Sequence, residues 1–138
     1  MDLEHIRAYR KSKNAFCIRM GIQVEELRPG YARVVKTLTA EDENPVGLPH
    51  GGVYFSMADT ACGSAMAAYG VVCVTINSSF SFLKSARTGD RLTAEARELQ
   101  SGRSVAVLEA RVTSEAGDLL AVGTFTFRRT SRSLENFM

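Results

Sequence analysis

Strong ligands for a transition metal are scarce in this chain. It has two histidines, His5 and His50, and three cysteines, Cys17, Cys62 and Cys73, none spaced C-x-x-C. A histidine-rich centre is excluded and a zinc site is not expected. An odd number of cysteines in apolar surroundings points to buried thiols in a reducing compartment. An excess of charge is also missing: 17 Lys and Arg against 15 Asp and Glu leave a net charge of +2. That gives no case for nucleic acid, although it allows local basic patches for a small anionic ligand. No apolar run is long and clean enough to span a membrane, since the stretch 53–69 carries Asp59 among Gly, Ser and Ala. The opening "MDLEHIRAYRKSKNAF" is charged throughout and has no signal-peptide pattern. Cytoplasm is the expected location. Several catalytic signatures are absent as well: G-x-S-x-G, a Walker sequence, G-x-G-x-x-G after a strand, and H-E-x-x-H.

What is present fits one domain of 138 residues, 45% hydrophobic and 23% charged. Leu3, Ile6 and Tyr9 fall near helical spacing and predict a short N-terminal helix over about 2–15. In "CIRMGIQV", Ile18, Met20, Ile22 and Val24 alternate as on one face of a strand. "RPGYARVVKTLTA" adds a Pro-Gly turn and a second strand, with Ala32, Val34 and Leu38 on one side. Residues 40–50 hold two of the three prolines and read as a loop. The segment 51–69 lacks alternation, is rich in Ala, Met, Gly and Ser, and ends at Gly70, so it is expected to be helical.

Four strand-like runs follow. In "VTINSSFSF", Val74, Ile76, Phe80 and Phe82 fall on one face, and Thr75, Asn77, Ser79 and Ser81 on the other. "RLTAEAREL", "SVAVLEARVTS" and "LLAVGTFTF" complete the set, joined through "RTGD", "QSGR" and "EAGD". Short turns imply antiparallel pairing. A helix apolar on nearly every face must be surrounded. Both demands are met by an α+β domain in which a curved antiparallel sheet wraps one long central helix.

The chemistry gathers in "NPVGLPHGGVYFSMADTACGSAMAAYG", residues 44–70. Gly51 and Gly52 stand where the helix begins, where the first N–H groups lack intrahelical partners and the dipole is positive. Such a place can hold a phosphate or polarise a carbonyl, although the glycines also suit a tight turn. Asp59 is sharper evidence, because a lone buried carboxylate costs several kcal/mol unless it is paired, hydrated or functional. Gly52 and Asp59 lie seven residues apart, about 10 Å along a helix. One reacting carbonyl cannot touch both in the same chain, so a site using both demands a dimer.

These residues carry a resemblance. Asn44, Gly47, the His50-Gly51-Gly52 run and Asp59 in "FSMADTA" resemble the hotdog-fold acyl-CoA thioesterases of the PaaI-like group, over roughly residues 15–128. The resemblance implies hydrolysis of an acyl-CoA with no cofactor, coenzyme A being part of the substrate. It implies that Gly52 N–H polarises the thioester carbonyl, that Asn44 positions thioester or water, and that His50 orients the loop. Asp59 of the opposing subunit would act as base or nucleophile. Thr75 stands where some relatives have a serine that places the water. Asn77 stands where many have an aspartate, and "LKSARTGD" lacks a proline that is often present. A homodimer is implied, with a homotetramer expected.

Gly51 is a candidate substrate contact; for the coenzyme A phosphates, Lys84, Arg87 and Arg103 are candidates, and so are Arg128, Arg129 and Arg132 of the tail. Phe55, Met57, Met66, Phe80 and Phe82 could line an acyl pocket, but core packing explains them equally well. Two other readings stand beside the thioesterase: a hotdog-type acyl hydratase, and a module that senses acyl-CoA without turning it over.

Overall fold

Asp2 and Asn14 start the first two helices by accepting N–H groups at their ends, from Glu4 and Cys17 respectively. In the computed structural model, which describes residues 2–138, the helices are α1 (Leu3–Lys13) and α2 (Ala15–Met20). After them come β1 (Gln23–Arg28), β2 (Tyr31–Thr37), a 3-10 turn at Ala40–Asp42 and α3 (Gly51–Ala67). The strands β3 (Val71–Phe82), β4 (Arg91–Ser101), β5 (Val105–Ser114) and β6 (Leu119–Ser133) follow, then a 3-10 turn at Leu134–Phe137. All six strands form one antiparallel sheet in the order β1-β2-β4-β5-β6-β3, curved around α3.

The small residues of α3 let it sit close to the sheet. Ala58, Ala61, Cys62 and Ala65 are fully buried, and the sheet meets them with Ala32, Ala94, Ala96, Ala110 and Ala121, also fully buried. Met57, Met66, Leu108 and Phe125 fill the remaining space. Each such side chain contributes about 1.5–3 kcal/mol on burial. Met57 and Met66 therefore belong to the core.

Three sequence expectations need correction. Residues 17–20 are helical rather than extended, because Asn14 caps α2 and Gly21, at φ 72°, closes it in the left-handed region. Ile18 and Met20 are thus off the strand, which starts at Gln23. Second, α3 is not covered all round. Gly52, Phe55, Ser56, Asp59 and Gly63 form a partly open stripe at helical spacing, while the other faces are buried.

The third concerns β3. Its register against β6 shifts between Thr75 and Asn77. Thr75 pairs with buried Phe127, and beyond the bulge Ser78 pairs with buried Phe125. Cross-strand partners share a face, so Thr75, Ser78, Phe80 and Phe82 point toward the helix and Asn77 and Ser79 point away. The bulge moves Thr75 onto the helix-facing side and takes Asn77 off it.

β3 is also a sheet edge. It is twelve residues long, and Val74, Ile76 and Phe82 on it are 47%, 54% and 57% exposed. At the other end of the sheet, the loop after β2 is tied down by a buried ion pair. Lys36 and Asp42, 4% and 6% exposed, meet at 3.1 Å, and Lys36 Nζ also donates to the Met20 carbonyl. The Asp42 carbonyl in turn accepts the His50 N–H at 2.8 Å.

Candidate active site

Asp59 lies midway along the open stripe of α3 and is half-buried. Thr75 Oγ1, brought inward by the β3 bulge, donates to Asp59 Oδ1 at 2.7 Å. The pair lines a cleft of about 420 Å³ between the N-terminal helices, α3 and β3, shared with Phe55, Ser56 and Thr60. The acid is thus neither lost in the core nor freely solvated. A carboxylate with one oxygen held by a hydroxyl and the other open to a cleft can accept a proton from water placed there.

Burial, then the Asp59 charge, push the Cys62 thiol far above its ordinary range, which keeps it protonated. Cys17 is buried with its sulfur 3.3 Å from Thr60 Oγ1.

The loop before α3 forms a second, separate feature. Asn44 Oδ1 accepts the N–H groups of Val46 and Leu48, both at 3.0 Å, and the Asn44 N–H donates to the Leu48 carbonyl at 2.7 Å. Its carboxamide oxygen is committed to the loop; the amide NH₂ makes no hydrogen bond among the described residues. His50 is the N-cap of α3: its Nδ1 accepts the Gly52 N–H at 2.8 Å. The Gly51 N–H has no acceptor among the described residues. A carbonyl arriving here meets one open amide and a second shared with His50. Asn44 and Gly51 line a cleft of about 310 Å³ with Phe82 and Lys84. Asp59 is not in that cleft. Within one chain the two halves of the expected site are held apart.

Two of the basic candidates are poorly placed as free phosphate ligands. Lys84 pairs with Asp118 at 2.9 Å, and it shares a hollow with Arg87, Asp90, Glu115 and Asp118. Arg103 is different. It lines a hollow with Arg128, Arg129 and Arg132 beside Val71, which also borders the Asp59 cleft. There Arg129 is engaged by Glu98 at 3.1 Å.

Arg10 was missed by the sequence reading. Its Nε donates to Ser64 Oγ at 3.0 Å, its guanidinium covers Gly63, and it borders the Asp59 cleft. Burial pulls the guanidinium below its usual basicity, and the Asp59 charge pulls it part of the way back. The only signal was its place in α1, one turn beyond Ile6, the buried residue of that helix.

A long helix wrapped by an antiparallel sheet, with an acid on its open stripe and glycines at its start, defines the class of hotdog-fold thioesterases. Residues 47–121 match the thioesterase superfamily. The chain is 30% identical to the acyl-coenzyme A thioesterase PaaI of Escherichia coli over 83% of each chain. The solved E. coli PaaI structure, from the phenylacetic acid degradation operon, superposes with a TM-score of 0.88 at 28% identity, covering 96% of this chain and 99% of that one. A putative esterase of Archaeoglobus fulgidus is 29% identical over 94% of this chain and 84% of its own length. A Streptococcus pneumoniae hypothetical thioesterase solved with coenzyme A gives a TM-score of 0.83 at 26% identity, covering 90% and 98%. Variants of that protein carry an Asp→Ala and a Thr→Ala change sixteen positions apart, the same spacing as Asp59 and Thr75. This chain belongs to the thioesterase superfamily, in its PaaI-like hotdog branch, and is a thioester hydrolase. No helix among its described residues is long and apolar enough to cross a membrane.

Proposed function

We propose that this protein hydrolyses acyl-CoA thioesters at a site built from two protomers. The observation that carries the reading is the Thr75–Asp59 hydrogen bond at the wall of a cleft, with the helix start in another cleft of the same chain. A second copy paired along β3 would bring its own Gly51 and Gly52 toward Asp59. The support for that pairing is the long, unpaired β3 edge with Val74, Ile76 and Phe82 exposed. A tetramer would follow from pairing two such dimers. The coenzyme A complex of the S. pneumoniae relative supports the substrate class.

In the proposed reaction Asp59 takes a proton from water and the resulting hydroxide bonds to the thioester carbon. The amides of Gly51 and Gly52 of the other protomer hold the developing oxyanion, aided by the helix dipole. Collapse breaks the C–S bond, and the proton held by Asp59 returns to the departing thiolate, giving free acid and coenzyme A. Asp59 as the attacking nucleophile is the second form of the same chemistry. Thr75 orients the carboxylate, the free NH₂ of Asn44 faces the thioester, and His50 sets the geometry of the amides. The chain's own residues supply every role, so no cofactor is invoked. Arg103, Arg128 and Arg132 are better placed than Lys84 or Arg87 to meet the phosphates. Three unpaired thiols, two of them buried, support a reducing cytoplasm as the setting.

The test is thiol release from a panel of acyl-CoA esters by the wild type and Asp59→Ala. Release by the former and none by the latter is expected. Tight binding with no release by the wild type would favour the acyl-CoA sensor over the enzyme.

A further inference from the structure

A guanidinium at the wall of a cleft with most of its donors unengaged can bind an anion there, and half-buried Arg10 is one. Of its five N–H donors, only Nε is engaged, with Ser64 Oγ. Among the described residues Arg10 forms no ion pair and no second hydrogen bond, although Glu4, Arg7 and other charged residues of α1 are close in sequence. Its guanidinium lies 3.3 Å from where a Cβ on Gly63 would stand, a space that any larger residue would fill. The cleft around it is otherwise made of rings and small groups: Phe16, Phe55 and Phe127 on the walls, Leu134 at one side, and Asn14 as a neutral neighbour. The one acid lining the cleft is Asp59, which is engaged by Thr75 and forms no ion pair with Arg10, although its charge acts on the guanidinium.

The spacing is informative. Asp59 and Gly63 are one turn apart on the same stripe, about 6 Å along the axis. An acyl group whose carbonyl carbon stands at Asp59 therefore places its far end at Arg10 after about five or six carbons. We infer that Arg10 reads the far end of the acyl group, and that the preferred substrate is a CoA thioester of a short dicarboxylic acid, its free carboxylate held by the guanidinium. The inference rests on the thioesterase reading and adds the acyl class to it. A carboxylate and a guanidinium form parallel, charge-assisted hydrogen bonds. An alkyl chain of the same length would displace water from the guanidinium and offer it no acceptor.

The experiment compares kcat/KM for glutaryl-CoA and pentanoyl-CoA, matched in length, in the wild type, Arg10→Met and Arg10→Lys. The wild type should favour glutaryl-CoA about tenfold or more, given what a hydrogen bond to a charged group contributes. Arg10→Met should lose that preference through glutaryl-CoA alone and turn over pentanoyl-CoA as well as the wild type or better. Arg10→Lys should keep part of it, and this variant decides the matter if Arg10→Met fails to fold. Equal wild-type rates on the two esters, or an equal loss on both in the variants, would overturn the inference and leave Arg10 as an anchor of α1. So would a preference for 5-hydroxypentanoyl-CoA over glutaryl-CoA, which would mean a neutral acceptor is read instead. If the wild type releases thiol from no ester, the thioesterase reading fails. Calorimetric affinities for the same esters then decide on Arg10 separately: tighter glutaryl-CoA binding lost in Arg10→Met supports it, and equal affinities refute it.

Discussion

The Thr75 hydroxyl donates to Asp59 Oδ1 at 2.7 Å across the seam between α3 and β3. It is the only side-chain hydrogen bond that Asp59 makes among the described residues. Removing it should free the carboxylate to rotate away from the attacking water. Thr75→Ala is expected to lower kcat about ten- to hundredfold, the range for a hydrogen bond to a charged group. KM should change little and Thr75→Ser should recover most of the rate. Steady-state kinetics on one good ester check this; a Thr75→Ala enzyme with unchanged kcat would remove Thr75 from the catalytic apparatus.

The Lys36–Asp42 pair is predicted to be structural. Lys36→Met strands a buried carboxylate, which should cost about 3–5 kcal/mol, measurable as a lower denaturant midpoint. Because the Asp42 carbonyl accepts the His50 N–H, activity should fall beyond what the lost stability explains. A variant as stable as the wild type would show the pair to be dispensable.

Thiol chemistry gives a third prediction. Burial raises the Cys62 pKa, so at neutral and mildly alkaline pH the residue stays a neutral thiol and a poor nucleophile. The half-buried Cys73 is also raised by burial, with Arg129 pulling it back. In the native protein an alkylating reagent should label Cys73 before Cys62, and Cys62 should react freely only after unfolding. Peptide mass mapping over time reads the order, and early labelling of Cys62 would contradict its burial.

Gly123 tests the join between the edge strand and the rest of the sheet. A Cβ there would stand 2.3 Å from the Ser79 carbonyl oxygen and 2.8 Å from Phe80 Cα. Gly123→Ala must push β3 outward, so both dimerisation and activity should weaken together. Sedimentation beside the thiol assay checks this; an intact, active dimer would show that the strands can yield.

Much of this was readable from the chain because local rules and burial agreed. The small-residue helix over 51–67, the antiparallel strands and the glycine turns follow from pattern and turn chemistry. Asp59 stood out as the one acid in an apolar helix, and Thr75 emerged from the family resemblance. What was hidden depended on register and on long-range contacts. A one-residue bulge put Thr75 on the helix side and removed Asn77 from it, and no alternation pattern carries that information. The brief helix Ala15–Met20 mimicked a strand because four apolar residues can alternate by chance. Lys36 did leave a trace: positions 32, 34, 36 and 38 alternate inward, and the lysine among them had to find an acid. Arg10 left almost none, since its partner Ser64 is 54 residues away.

The central claim is that one active site draws on two protomers, and subunit mixing tests it most directly. Asp59→Ala and Gly52→Pro each remove one half of the site and should be inactive alone. Unfolded and refolded together in equal amounts, they should regain about a quarter of wild-type thiol release, because half the dimers are mixed and each of these has one intact site. A mixture in which the subunits have exchanged and that remains as inactive as its components would contradict the account and place the whole site within a single chain.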